Sequence, residues 1–184
     1  MPNWVYNVII CKKDLLGKIC GGEGCVDFNV LIPEPLTKNE LLDLYGEEYL
    51  DEKDEDGMSI NLLDHREGKE WFNWFKWRCD FWGTKWNACE SNIVERDNGL
   101  IYIYFDTAWA PPRRWVEKLA SLGQPFILHW TEEQGFGECQ GFNGKIEVSG
   151  AWDCYEYDEK TGDCIDDDSR NLPETEIVEQ FFGI

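Results

Sequence analysis

The amino-acid sequence predicts an α+β chain built on an antiparallel sheet. Three observations carry that expectation. Runs of β-branched and aromatic residues recur along the chain with strand character, stretches of helical apolar spacing lie between them, and glycine and proline punctuate the junctions. The length of 184 residues suits one domain with insertions, and 42% hydrophobic residues are enough for a real core.

The elements follow in order. Residues 4–12, WVYNVIICK, are β-branched and aromatic and predict a strand. DLLGKICGG predicts a short helix, with Asp14 as its cap and two glycines as its stop. CVDFNVLIPEPL, 25–36, predicts a second strand ended by two prolines. Thr37 is placed to cap a helix over KNELLDLYGEEYL, whose stripe of Leu41, Leu42, Leu44, Tyr45 and Tyr49 is weakened by Gly46. The acidic stretch 51–57, DEKDEDG, matches part of a calcium loop through Asp54, Asp56 and Gly57. That register puts Leu63 where a bidentate glutamate is required, so a solvated loop is expected.

Trp71, Trp74, Phe75 and Arg78 share helical spacing, as do Trp74, Trp77 and Phe81. They predict a helix from about 68 to 81, ended near Gly83. In GLIYIYFDTAWAPP, Ile101, Ile103 and Phe105 alternate with Tyr102, Tyr104 and Asp106, which predicts a central strand covered on both faces. Pro111 and Pro112 open a helix that Gly123 closes. PFILHWTEE is a further strand, followed by a glycine-punctuated hairpin and an acidic stretch. LPETEIVEQFFGI is a short amphipathic helix with Ile177, Val178, Phe181 and Phe182 apolar. With residues 37–95 set aside as an inserted helical segment, the order is β-α-β-β-α-β. This is a ferredoxin-like split β-α-β antiparallel sheet in a single domain, 1–184, with helices on one face and an acidic C-terminal extension from about 153 to 184.

Charge narrows the function. Lysine and arginine total 17 against 37 acidic residues, so the formal charge is 17 − 37 = −20. A field of that sign repels nucleic acid and anionic membranes and attracts basic protein surfaces. Direct binding of duplex nucleic acid is disfavoured, because backbone affinity comes from cationic side chains neutralising phosphates. No apolar run approaches the roughly 20 residues of a spanning helix, so a cytoplasmic location is expected. The eight cysteines are Cys11, Cys20, Cys25, Cys79, Cys89, Cys139, Cys154 and Cys164. None forms a CxxC pair, and only His65 and His129 supply imidazole, so reduced thiols are expected with neither metal nor cofactor.

There is no Walker loop, GxGxxG, HExxH or GxSxG pattern, and no activated nucleophile is evident, so an enzyme is not expected. His65 lies in a polar setting and reads as exposed, and His129 inside a strand reads as structural. A pair such as Asp106 near Glu132 carries little weight among 37 carboxylates. Asn3, Asn7, Lys85, Asn87, Asp106 and Thr107 sit among aromatic neighbours. Their first reading is hydrogen bonding that fixes strand ends and turns. The alternative is a pocket lined by Trp4, Trp86 and Trp109, in which Lys85 pairs with Asp106.

The stretches MPNWVYN, VDFNVLIPEP, FWGTKWNA, FDTAWAPP and EQGFGECQGFNGKIE occur in that order. Together they resemble the YubB-like family, ferredoxin-like proteins of phages, conjugative plasmids and genomic islands. The resemblance spans most of the chain apart from parts of 39–68 and the stretch after about 153. Phe81 stands where the family usually has asparagine and Ala110 where it has serine, which removes two small polar groups near the pocket. The resemblance implies a fold and a mobile-element setting rather than a reaction.

Two functions follow as expectations. The first is stoichiometric inhibition of a host defence nuclease, anti-CRISPR-like, in which an acidic surface acts as a DNA mimic on basic residues that otherwise hold nucleic acid. Its contributors would be Asp51, Glu52, Asp54, Glu55 and Asp56, with Asp163, Asp166, Asp167 and Asp168. The alternative is a nucleotide or single-stranded nucleic-acid binding module that stacks bases on aromatic side chains.

Overall fold

The computed structural model describes residues 3–22, 24–46, 63–66, 69–132, 135–149 and 175–184. In chain order the elements are β1 (Trp4–Cys11), α1 (Leu16–Ile19), α2 (Lys38–Tyr45), β2 (Leu63–Arg66), β3 (Lys69–Phe72), α3 (Trp74–Phe81), β4 (Cys89–Glu95), β5 (Ile101–Ala108), α4 (Arg113–Ala120), β6 (Phe126–Glu132), β7 (Gly135–Phe142), β8 (Lys145–Ser149) and α5 (Thr175–Phe182). Six strands form one sheet in the order β4-β5-β1-β6-β7-β8, and every neighbouring pair is antiparallel. The subset β4-β5-β1-β6, with α1, α2 and α3 in the connection from β1 to β4 and α4 in that from β5 to β6, is the ferredoxin-like split arrangement. β7 and β8 widen the sheet beyond it, and β2 and β3 pair as a separate hairpin.

Two elements differ from the sequence expectation. Residues 25–36 do not form a strand beyond one bridge between Cys20 and Val26. The second strand of the split motif is β4, inside the 37–95 stretch read as an insertion. Side chains explain the difference by taking over backbone donors that a ladder would use. The Asp27 carboxylate accepts the Asn29 N–H at 3.0 Å and caps a 3₁₀ turn over Phe28–Val30, while the Phe28 N–H donates to Asn87 Oδ1 at 2.8 Å. The turn sends Phe28 into the core, with its ring 4.9 Å from that of Trp115 and 5.6 Å from that of Trp82.

The helix expected over 68–81 begins only at Trp74. Asn73 caps it by accepting the Lys76 N–H at 3.2 Å, and residues 69–72 belong to β3. Apolar periodicity runs through both segments, so only the cap marks the boundary.

Successive side chains of β1 point to opposite faces, and from Asn7 to Cys11 both faces are buried. Val5, Ile9 and Cys11 join Ile103, Phe105, Phe126, Leu128 and Trp130 in a core that also contains Trp77, Trp82 and Trp115. Val8 and Ile10 point the other way and pack with Tyr102, Ile127 and α5 residues Val178 and Phe182. The expectation of helices on one face therefore needs a correction. α4 covers the first face, but the apolar stripe of α5 lies on the second. Among the described residues no helix is long and apolar enough to cross a membrane.

Candidate functional site

The segment FWGTKWNA, 81–88, links α3 to β4, and nearly every residue in it has an identifiable task. The Phe81 ring stacks on Trp77 at 4.9 Å. Trp82 is fully buried and its indole N–H donates to the Ile32 carbonyl at 3.0 Å. Gly83 adopts φ +84°, and a Cβ there would sit 2.8 Å from the Arg113 nitrogen, so the turn presses on the start of α4. Thr84 is buried and donates to the Ala108 carbonyl at 2.8 Å. Asn87 accepts the Phe28 N–H and donates to Asp27 Oδ1 at 2.8 Å. The hydrogen-bonding role expected for Asn7, Asn87 and Thr107 is thus what these residues perform. The Asn7 amide donates to the Val5 and Phe105 carbonyls and to Thr107 Oγ1, and Thr107 in turn donates to the Ala110 carbonyl at 2.8 Å. The acceptor is main chain, so alanine at 110 serves it as well as serine.

Lys85 and Trp86 are the members of the segment that turn outward, both half-buried. The start of β1 and the end of β5 meet there, since Trp4 pairs with Ala108. Trp4 lies 5.8 Å from Trp86, centroid to centroid. The Lys85 ammonium sits 5.1 Å from the Trp86 ring, 5.1 Å from Trp109 and 5.7 Å from Phe75. Trp4, Lys85, Trp86 and Trp109 therefore do come together as the pocket reading expected. Asp106 does not complete it, because no ion pair joins it to Lys85 within 4.0 Å. Burial, with Glu90 nearby, pushes the Asp106 carboxyl above its ordinary range. Ring faces meet the charge of the lysine instead.

Sequence reasoning missed one part of this platform. Phe75 and Trp74, given only as residues of the predicted helix, are 42% and 44% exposed. Trp74 is braced by Arg78, whose guanidinium lies 4.9 Å above its ring and forms a two-pronged pair with Glu34, both contacts at 2.7 Å. The Glu34 N–H is tied to Asn29 Oδ1, so the brace reaches the Asp27–Asn29 turn. Burial works to raise the Asp27 carboxyl, but hydrogen bonds from Asn87 and Asn29 outweigh it and hold the group below its usual value.

Trp109, which the pocket reading already included, is the platform's other support. Its backbone is left-handed at φ +73°, a conformation costly for a bulky side chain, and it is held by its N–H donating to the Asn3 carbonyl at 2.9 Å. The ring is 56% exposed. No signal in the sequence marks this conformation beyond the following Ala-Pro-Pro. A strained, exposed tryptophan adds little to stability, so Trp109→Gly is expected to leave the unfolding free energy unchanged or raise it by up to about 1 kcal/mol. Urea denaturation measures this. A loss above about 2 kcal/mol would make the ring part of the fold rather than of a platform.

The remaining candidate residues lie away from the platform. His129 is buried within β6, in keeping with a structural role. Cys11 and Cys139 are buried free thiols whose pKa is pushed up to about 12, chiefly by burial, which keeps them protonated and unreactive. Among the described residues no group of three or more metal-ligating side chains is present. Asp51, Glu52, Asp54, Glu55, Asp56, Asp163, Asp166, Asp167 and Asp168 lie outside the described residues, as do Cys154 and Cys164.

The family described as the ferredoxin-like domain in Api92-like protein matches residues 81–168, a range that starts at the last residue of α3 and takes in the aromatic segment, α4 and β4 to β8. With the strand order, this likeness defines a ferredoxin-like α+β protein. No curated protein and no solved structure matches the chain significantly.

Proposed function

We propose that the protein is a mobile-element accessory protein that works by stoichiometric binding, and that it inhibits a host defence nuclease by occupying a basic nucleic-acid channel. The observation that carries this reading is where the charge lies. Residues 47–62 hold seven acidic side chains against one lysine, and residues 150–174 hold nine against two basic ones. The rest of the chain has 37 − 16 = 21 acidic and 17 − 3 = 14 basic residues. The excess is thus gathered into two runs, the pattern that competes for lysines and arginines evolved to hold phosphates. Asp51, Glu52, Asp54, Glu55 and Asp56 in one run, and Asp163, Asp166, Asp167 and Asp168 in the other, are the contributing carboxylates. Resemblance to YubB-like proteins supports the mobile-element setting, and a nuclease target places the action in the host cytoplasm.

The test is capture of host proteins by the full chain at rising salt, followed by nuclease assays with the captured protein. Binding is expected to weaken steeply with salt and to fall at least about tenfold when both runs are changed to asparagine and glutamine. Capture that is indifferent to neutralisation would sink the mimic mechanism. A second reading, base stacking of a nucleotide or single strand, draws on the exposed rings of Trp109 and of Tyr6, which is 58% exposed. Tryptophan quenching by nucleotides with a neutral-run variant as effective as the parent would favour it.

A further inference from the structure

We propose that Lys85 with the rings of Phe75, Trp86 and Trp109 forms a docking point for a carboxylate carried on an apolar patch of a partner protein. This contact is opposite in sign to the acidic runs and does not depend on them. The first argument is charge. Lys13, Lys76, Arg78 and Arg114 each reach a carboxylate within 3.3 Å. Among the described residues Lys85 reaches none, and none accepts a hydrogen bond from its ammonium. An ammonium has three donors, and ring faces satisfy charge without accepting them well. The ammonium therefore lies among three rings with no described residue accepting from its donors.

The second argument is preorganisation. The bulky rings around the ammonium have few torsions to freeze, and Trp109 is fixed in a strained backbone by its bond to Asn3. Trp74 is clamped by the Arg78–Glu34 pair alongside. Rigid tryptophans flanking one cation are the composition of an interface hot spot. The occupant follows from the same chemistry. A nucleotide phosphate brings up to two negative charges to a single lysine on a chain of net charge −20. A second copy of the chain would bring another −20. One aspartate or glutamate set in an apolar surface matches one ammonium set in aromatic rings.

Indole-3-acetate serves as the probe, with indole-3-acetamide as its neutral counterpart, on full-length protein labelled with 5-fluorotryptophan. The Trp109 fluorine resonance is assigned by Trp109→Phe. The expected result is a saturable shift of that resonance by indole-3-acetate, with half-saturation at about 1–10 mM. The amide should bind at least about fivefold more weakly, Lys85→Met should lose the same factor, and Lys85→Arg should retain binding. No shift of Trp109 up to about 30 mM, or equal binding of acid and amide, overturns the proposal. So does adenosine monophosphate shifting the resonance at lower concentration than indole-3-acetate, which would assign a nucleotide site. Chains with both acidic runs neutralised should bind the probe as the parent does, so a failed inhibitor reading leaves this result intact.

Discussion

Gly137→Ala is expected to lower the unfolding free energy by about 2–3 kcal/mol, while Gly17→Ala should raise it by about 0.5–1 kcal/mol. β7 places Gly137 opposite Trp130 and Gly141 opposite Phe126, and both partners are buried in the core. Each ring lies across the glycine facing it, so that a Cβ at position 137 would overlap Trp130 Cζ2. The atom in the way belongs to a rigid indole that is only 3% exposed, so relief requires moving the ring or the strand. Gly17, inside α1, has nothing within 4 Å of where its Cβ would be, and alanine is the better helix former. Urea denaturation of both variants separates the two situations. If Gly137→Ala costs under about 0.5 kcal/mol, the packing of Trp130 onto β7 is not what closes this side of the core. Trp130→Leu should reduce the cost of the alanine, because the obstructing ring is gone, giving a non-additive double variant.

The same glycines show which parts of the fold a sequence exposes. GFGECQGF was readable as strand and turn material, and its pairing beyond β6 gives the two extra strands of the sheet. What made the glycines necessary, Trp130 and Phe126 on the neighbouring strand, is a long-range fact that no local pattern contains. β1 was legible from its β-branched and aromatic run and β5 from its period-2 alternation, and both are buried on two faces. The 25–36 segment was misread because its apolar content is real but its backbone donors go to Asp27 and Asn87 side chains. β4 was lost for the converse reason. CESNIVE has little apolar alternation and lies at an edge of the sheet, with a register shift between Cys89 and Asn92. In the platform, composition pointed to Trp4, Lys85, Trp86 and Trp109 as neighbours. The assumption that a lysine must find a carboxylate led to Asp106, whereas the fold surrounds that lysine with rings.

Arg78→Met is expected to cost about 2–4 kcal/mol, far more than an exposed ion pair would. Glu34 is the reason. Its side chain is only 8% exposed against 25% for Arg78, and both of its oxygens receive guanidinium N–H groups at 2.7 Å. Removing the arginine strands a nearly buried carboxylate in a site built around its partner, and it also removes the cation that lies over Trp74 and Trp82. The cost comes mainly from the orphaned charge, so deleting the charge should recover most of it. The Arg78→Met, Glu34→Leu double variant is therefore expected to lie within about 1–2 kcal/mol of the parent, with methionine and leucine packing where the pair stood. A full denaturation cycle with both single variants measures the coupling. A double variant no more stable than Arg78→Met alone would mean that the guanidinium acts through its rings rather than through Glu34. In that case the Trp74 side of the platform would depend on a cation–aromatic stack and not on the Glu34–Asn29–Asp27 relay.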